Sequence, residues 1–382
     1  MTLKRKNQLP VFLDFFCGSG LVTEALKDCF QATWANDNSS MKAVVYRVNQ
    51  GDAHFDGRSI EHVEGERLPD AVLSWASFPC QDLSLAGNLN GINASRSGLV
   101  WEWLRVMKEM GDRKPRILAM ENVAGLVSSH EGRNYRALHE ALGELGYQCG
   151  AMLLDAVRWV PQSRPRIFVV AVPRGLKAPA LMDSKANWLH SDAVIKASQG
   201  LKDWVWWKLP SPPPRTASLD DLVEWDAPHD DEVRIRRNLS LIPEKHQSRL
   251  LLELANGFRV APGYRRTRKR QVLELRFDGI AGCLRTPEGG SSRQYLVLKK
   301  EGHLVTRLLT IREVARLMGA PEDYKLPATY NDAYWTLGDA VAVPPVRFLA
   351  SNLLAPLAQL LTPRTDAKIR RATADHSLLA AA

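Results

Sequence analysis

The sequence predicts a doubly wound α/β fold: an open, mostly parallel sheet with helices on both faces and a smaller unit inserted late in the chain. Three observations lead there. Short β-rich runs alternate with stretches whose apolar residues recur at helical spacing. A glycine-rich turn, Cys17-Gly18-Ser19-Gly20, follows the first run and is answered by Asp37 at the end of the second. Beyond Pro173 the alternation stops.

In chain order the expected strands are Val11 to Phe16, Ala32 to Ala35, Ala71 to Ala76, Ile117 to Met120 and Ile167 to Val172. Between them Leu99 to Met110 and Tyr135 to Leu145 carry the helical period, so βαβ units and a parallel sheet follow. Residues 174–230 are rich in Pro, Asp and Trp, including Trp204, Trp206, Trp207 and the run Pro210-Ser211-Pro212-Pro213-Pro214. The expected division is a first domain over 1–178, an inserted unit over 179–327, and a C-terminal segment, 328–382, that completes the first. In that segment Val343-Pro344-Pro345-Val346 opens a helix toward Leu361, with proline in the first turn where a missing N–H costs least. The tryptophans are expected to close a small hydrophobic core rather than stack on a ligand.

The chain has 382 residues, and 51 Lys+Arg against 42 Asp+Glu leave a formal charge of +9. That excess suits a polyanionic partner, and it is concentrated between Arg259 and Arg307. The apolar stretch Phe348 to Leu361 falls short of the ~20 residues that span a bilayer. Lys4, Arg5 and Lys6 precede apolar residues, but Asp14 breaks the run that a secretory signal would need; a cytoplasmic protein without a membrane partner is expected. Five cysteines, at 17, 29, 80, 149 and 283, show no C-x-x-C spacing, which argues against a disulfide framework and a zinc cage. No metal is expected, and one thiol at least is free to react.

The glycine turn lets a ligand approach backbone closely, but Thr23 occupies the third glycine position of a dinucleotide fingerprint. Asp37, about 20 residues on, can accept from ribose hydroxyls. An adenosine ligand without phosphates fits this pair, and S-adenosylmethionine is such a ligand; a plain strand-to-helix turn would use the same residues. Ser77-Phe78-Pro79-Cys80-Gln81-Asp82-Leu83-Ser84 follows a strand, so Cys80 is expected at the carboxyl edge of the sheet, where open α/β sheets bind ligands. Alone, such a cysteine is more often a small buried apolar residue. Glu121-Asn122-Val123 ends another strand at that edge, and Gln162-Ser163-Arg164-Pro165-Arg166 precedes a further one.

This ordered set resembles the cytosine-5 DNA methyltransferase family: Phe16-x-Gly18-x-Gly20, then Pro79-Cys80-Gln81, Glu121-Asn122-Val123 and Gln162-x-Arg164-x-Arg166. Arg96-Ser97-Gly98-Leu99 resembles the turn after the nucleophile loop, Thr310 to Pro321 the ninth motif, and Gly338-Asp339-Ala340-Val341 the tenth. The resemblance spans almost the whole chain. It departs from the family at Leu21, where a second glycine is usual, and at Asp339, where asparagine is typical. The acid meeting the adenine amino group is open between Asp56 and Ser59.

The resemblance implies a Rossmann-like S-adenosylmethionine-dependent methyltransferase domain with an inserted target-recognition domain, acting as a monomer on double-stranded DNA in a bacterial cell or phage-infected host. A restriction endonuclease could accompany it without forming a complex. Carbon 5 of cytosine is a poor nucleophile until a thiolate adds at carbon 6, so Cys80 is the implied nucleophile. Glu121 is the implied acid at N3, with Arg166 holding O2 and Arg164 beside it. Implied cofactor contacts are Phe16, Gly18, Gly20, Asp37, Pro79, Asp339 and Ala340. Implied DNA contacts are Gln81, Ser84, Asn122, Gln162, Arg285, Ser291, Ser292, Arg293 and Gln294, with the basic residues at 265–270 on phosphates. The base that removes the carbon 5 proton is not identified.

Two signals point elsewhere. Thr310 to Pro321 also resembles the start of a helix-turn-helix, but no basic recognition helix follows; Arg312 and Glu313 are expected to brace two domains. Ser211-Pro212-Pro213-Pro214 lacks the aromatic residue that amino-methylating enzymes carry after their prolines. A tRNA cytosine methyltransferase shares the catalytic set, but its Cys-Phe-Thr tripeptide is absent. A silent DNA-binding relative would have lost Cys80 or Glu121, and both are present.

Overall fold

The computed structural model of the chain describes residues 8–79, 98–286 and 293–362. Seven strands form the central sheet: β1 (Val11–Phe15), β2 (Gln31–Asn36), β3 (Phe55–Asp56), β4 (Leu73–Ala76), β5 (Ile117–Val123), β6 (Tyr147–Asp155) and β7 (Pro165–Pro173), in the order β3-β2-β1-β4-β5-β7-β6. The first five are parallel, whereas β7 runs antiparallel to both β5 and β6. The chain begins mid-sheet, travels to one edge and returns, so the order reverses between β1 and β4. The crevice beyond their carboxyl ends is where such sheets bind ligands.

Side-chain alternation divides the core between two faces. Phe12, Leu73, Trp75, Ile117, Ala119, Phe168 and Val170 lie on one face. Leu13, Phe15, Ala76, Leu118, Met120, Ile167 and Val169 lie on the other. Helix α1 (Leu21–Leu26) and the C-terminal helical run from Val343 to Leu361 cover the first face. Helix α2 (Ser40–Gln50) follows β2, and α3 (Leu99–Glu109) covers the second face through Val100, Trp103, Leu104 and Met107, at helical spacing. The stretch Tyr330–Leu361 is long and apolar enough to cross a membrane by length and composition. Its Val343, Val346, Leu349, Leu353 and Leu357 instead fill the core.

The sheet has one strand more at this end than the sequence suggests. β6 forms a long hairpin with β7, pairing Tyr147 with Pro173 through to Asp155 with Pro165. The chain also stays with this core beyond residue 179, so the packing does not follow that boundary. Leu181, Leu189, Val205, Trp207, Leu209, Leu219 and Val223 all belong to the first-face cluster. A short hairpin, β8 (Met182–Asp183) with β9 (Trp206–Trp207), runs against β6, and Val205 N–H donates to the Cys149 carbonyl at 3.0 Å. Gly150 permits this approach, since a Cβ there would collide with the Val205 backbone. Of the tryptophans, Trp207 is a core residue, as expected, but in the flank of the central sheet: it is fully buried and its Nε1 donates to the Val170 carbonyl at 3.2 Å, whereas Trp204 is half-buried against the second-face core and Trp206 is half-buried outside both cores.

A second sheet is assembled from β10 (Val260–Thr267), β11 (Gln271–Leu275), β12 (Gln294–Lys300) and β13 (His303–Leu308), all antiparallel in the order β11-β10-β12-β13. With the helices Glu232–Ser240 and Glu244–Ala255 it encloses a separate small core around Ile242, Leu250, Ala261, Leu273, Leu275 and Val297. The helix Ile311–Leu317 returns to the large core behind a capping box: Thr310 Oγ1 accepts from Glu313 N–H, and Glu313 Oε2 from Thr310 N–H. Buried Glu313 pairs with Arg307 of β13 and accepts from Glu224 N–H at 2.7 Å, so it does brace the second sheet against the large core.

Candidate active site

The glycine turn leaves β1 through Phe16, whose φ is 56°, and Gly18, also at 56°; Gly20, at 89°, opens α1. Side chains are excluded at Gly20, where a Cβ would lie 2.9 Å from Gln50 and 3.0 Å from Tyr46. Among the described residues, a Cβ at Gly18 would meet only Lys42 Cδ, at 4.0 Å, so these residues leave the space above that backbone open to a ligand. Asp37 fixes the turn: its Oδ2 accepts from Gly18 N–H at 3.0 Å and its Oδ1 from Ser39 N–H at 2.9 Å. Each oxygen retains a lone pair for a ribose hydroxyl. Burial pushes the Asp37 carboxyl up, and Lys42 opposes that. The shape and chemistry therefore fit an adenosine ligand.

Below the turn runs a buried polar chain. Thr23 Oγ1 donates to Asp14 Oδ2 at 2.8 Å and lies 3.2 Å from Tyr46 Oη, which is 2.9 Å from His54 Nε2. Asp14 is fully buried and its Oδ1 has no partner among the described residues; burial raises its pKa to about 7. Asp56, at the end of β3, is held by Arg58 through Nη2 at 2.7 Å and Nε at 3.0 Å, which depresses its carboxyl. Ser59 precedes a short turn and makes no capping bond.

Beyond β4, Ser77 N–H donates to the Phe15 carbonyl at 3.2 Å, Phe78 is buried and Pro79 is exposed. Cys80, Gln81 and Ser84 lie outside the described residues, as do Ser291 and Ser292. Asn122 anchors the approach to position 80, because its Nδ2 donates to the Phe78 carbonyl at 3.0 Å.

Glu121 sits at the end of β5, 7% exposed, with Oε1 2.9 Å from Arg166 Nε. Burial raises the Glu121 pKa, while Arg166 and then Arg164 oppose that shift. Arg166 Nη1 donates to the Pro165 carbonyl at 2.9 Å, and its Nη2 lies 3.8 Å from Cys283 Sγ. A carboxyl with a raised pKa beside a permanent cation can hand over a proton and hold the oxygen next to it.

Four residues assigned to substrate contacts are differently engaged. Arg164 is buried; its Nη1 donates to the Leu284 carbonyl at 2.9 Å and its Nη2 to the Ala340 carbonyl at 2.6 Å. It therefore staples three chain segments together and does not stand beside Arg166 as a second free fork. Gln162 is fully buried, donating to the Leu317 carbonyl at 2.7 Å and accepting from Leu284 N–H at 3.1 Å. Gln294, also fully buried, accepts from Gly282 N–H at 2.6 Å. Asn122 is occupied by Phe78 and by Val123 N–H at 2.9 Å. The amides of Gln162 and Asn122, buried and bonded at both ends, are not free to read a base edge, and Gln294 is buried with its oxygen occupied. Of the remaining predicted DNA contacts, Arg285 is exposed, whereas Arg293 bonds Asn331 and lies over the Tyr330 ring at 5.6 Å.

Three participants carry no local sequence signal. Cys283 brings its sulfur 3.5 Å from Arg164 Nη1. Tyr324 donates to the Ser19 carbonyl inside the glycine turn. Lys42 Nζ lies 2.6 Å from Asp339 Oδ2. Their partners stand 119, 305 and 297 positions away.

Comparison with known proteins covers the same span. The family model described as C-5 cytosine-specific DNA methylase matches residues 11–355. The chain is 27% identical to Type II methyltransferase M.HhaI of Haemophilus parahaemolyticus over 347 residues, covering 90% of this chain and 93% of that protein. It is 28% identical to Type II methyltransferase M1.ScrFI of Lactococcus lactis subsp. cremoris, covering 92% and 80%. Among solved structures, the Dnmt2 methyltransferase of S. pombe superposes with a TM-score of 0.58 at 21% identity, over 91% of this chain and 99% of that one. The methyltransferase EhMeth of Entamoeba histolytica gives 0.61 at 14%, over 92% and 99%. At these identities the structural matches speak for the fold.

Proposed function

The chain belongs to the C-5 cytosine-specific DNA methylase family, and from that premise we propose that it methylates a cytosine within a specific duplex sequence, through base flipping and a covalent Cys80 adduct. As a family member it is a DNA cytosine-5-methyltransferase of the S-adenosylmethionine-dependent class. The buried Glu121–Arg166 pair at the carboxyl edge, beside the approach to position 80, is the observation that carries the finer reading.

Carbon 6 is inaccessible in a stacked duplex, so the target nucleotide leaves the helix at a cost of a few kcal/mol. The Cys80 thiolate then adds at carbon 6. Glu121 gives its proton to N3 as the ring becomes an enamine, and Arg166 holds O2. The raised Glu121 pKa supports this role, because the acid must hold its proton near neutral pH. Bound S-adenosylmethionine supplies an electrophilic methyl group to carbon 5. Phe16, Gly18, Gly20, Asp37, Pro79, Asp339 and Ala340 are the proposed cofactor contacts, with the Phe16 ring toward the sulfonium. After a base takes the carbon 5 proton, the thiolate departs and N3 returns its proton to Glu121.

Arg164 is assigned a positioning role, since its Nη1 and Nη2 are bonded to backbone carbonyls. The second sheet and its two helices are proposed as the target-recognition unit, with exposed Lys269 and Arg270 on phosphates and Arg285 toward the bases. A modification role beside a restriction endonuclease agrees with the Type II names of the relatives.

Radiolabelled S-adenosylmethionine offered with duplex DNA and, separately, with tRNA tests the substrate; label in tRNA alone would reject it. Wild-type protein should also form a denaturation-resistant adduct with 5-fluorocytosine DNA, and Cys80→Ala should not. An adduct formed by the alanine variant would remove Cys80 from its role.

A further inference from the structure

Lys42 lies in the first turns of α2, and its ammonium crosses the glycine turn to reach Asp339, which follows the helix Tyr330–Gly338. The separation is 2.6 Å, and the side chains are 20% and 43% exposed. Among the described residues, the lysine stem is the one group within 4 Å of a Cβ on Gly18, so it borders the space above the turn.

The Asp339 carboxylate contributes to raising both Asp37 and Glu121, while Lys42 acts to lower Asp37. Asp339 is therefore near enough to influence both the proposed ribose acid and the proposed catalytic acid. Its neighbour Ala340 is held in place by Arg164. A cofactor with its ribose at Asp37 and its reacting methyl toward Glu121 has its sulfur between the two. From that sulfur branches an amino-acid group with one carboxylate and one ammonium.

We infer that Lys42 and Asp339 form a split receptor for this zwitterionic end, Lys42 taking the carboxylate and Asp339 the ammonium. The inference rests on the S-adenosylmethionine reading above and adds Lys42 to the residues that select the cofactor. In the ligand-free protein the two side chains satisfy each other; the ligand exchanges their single ion pair for two, with no change in net charge. The pairing also gives a reason for aspartate at 339. Asparagine there would leave Lys42 without its partner, and methionine at 42 would leave two carboxylates, Asp37 and Asp339, facing the same turn without a cation between them.

Titration calorimetry with three adenosine thioethers tests this: S-adenosylhomocysteine, its decarboxylated amine analogue, and 5′-methylthioadenosine, which lacks the amino-acid group. Lys42→Met should bind S-adenosylhomocysteine about tenfold more weakly than wild type, the loss expected for one charge-assisted bond. It should bind 5′-methylthioadenosine as wild type does, which also certifies its fold, and the decarboxylated amine at least as tightly, because Asp339 is then released from Lys42; Lys42→Arg should restore the preference. Equal weakening for all three ligands, or unchanged affinity for S-adenosylhomocysteine, would overturn the split receptor. Failure of the wild-type protein to bind S-adenosylhomocysteine would instead overturn the cofactor reading, and the receptor with it.

Discussion

Arg166 Nε lies 2.9 Å from Glu121 Oε1 although the two residues are not directly paired across β5 and β7. Val123 is the partner of Arg166 and Phe168 that of Glu121, so the contact is diagonal, a reach that a long guanidinium side chain can make. The pair therefore depends on β7 running antiparallel to β5.

If Glu121 is the N3 acid, Glu121→Gln should lower kcat by about 10²- to 10⁴-fold, the usual contribution of a positioned acid, with S-adenosylhomocysteine affinity unchanged. Arg166→Met removes the main influence holding the Glu121 pKa down. The acid then keeps its proton to higher pH, so the alkaline limb of the kcat profile should move upward. Loss of cofactor binding in Glu121→Gln would show a structural role instead.

Gln162 and Asn122 should behave as scaffold. Gln162→Ala leaves the Leu284 N–H and the Leu317 carbonyl buried without their partner, a cost of about 1–3 kcal/mol. Denaturant unfolding should register that loss, while sequencing of methylated DNA should show an unchanged target. An altered target sequence would return Gln162 to the DNA interface.

Asp14 should make stability depend on pH. Its folded pKa is raised from 3.8 to about 7 by burial, so the folded state favours the protonated form. The contribution is complete below the unfolded pKa and is lost as pH rises through the folded one. Between about pH 4 and 7 unfolding free energy should fall by on the order of 4 kcal/mol. Asp14→Asn should flatten that slope; an equal slope in the variant would assign the dependence to another group.

Two basic residues of the recognition unit should separate by assay. Lys269→Ala should weaken binding alike across DNA sequences and reduce the salt slope by about one. Arg285→Ala should relax discrimination at one base pair, an effect of about 1–3 kcal/mol. The reverse pattern would exchange their assignments.

The sequence by itself determined the alternating core, the glycine turn with its ribose acid, and the order of motifs along the sheet edge. These are local signals: short β-rich apolar runs such as Val11 to Phe15, a glycine turn that takes positive φ at Gly18 and Gly20, and a capping box at Thr310. Tertiary structure alone decided which members of a motif face the crevice. Gln162, Arg164 and Arg166 share one spacing, yet the carbonyls and N–H groups that occupy the first two come from 120 to 176 positions away. The Trp-rich segment likewise reads as irregular by composition, but Gly150 lets its backbone lie along β6, so it joins the large core. Buried polar groups take whatever partners the packed chain brings within reach, and spacing along the sequence carries no record of those partners.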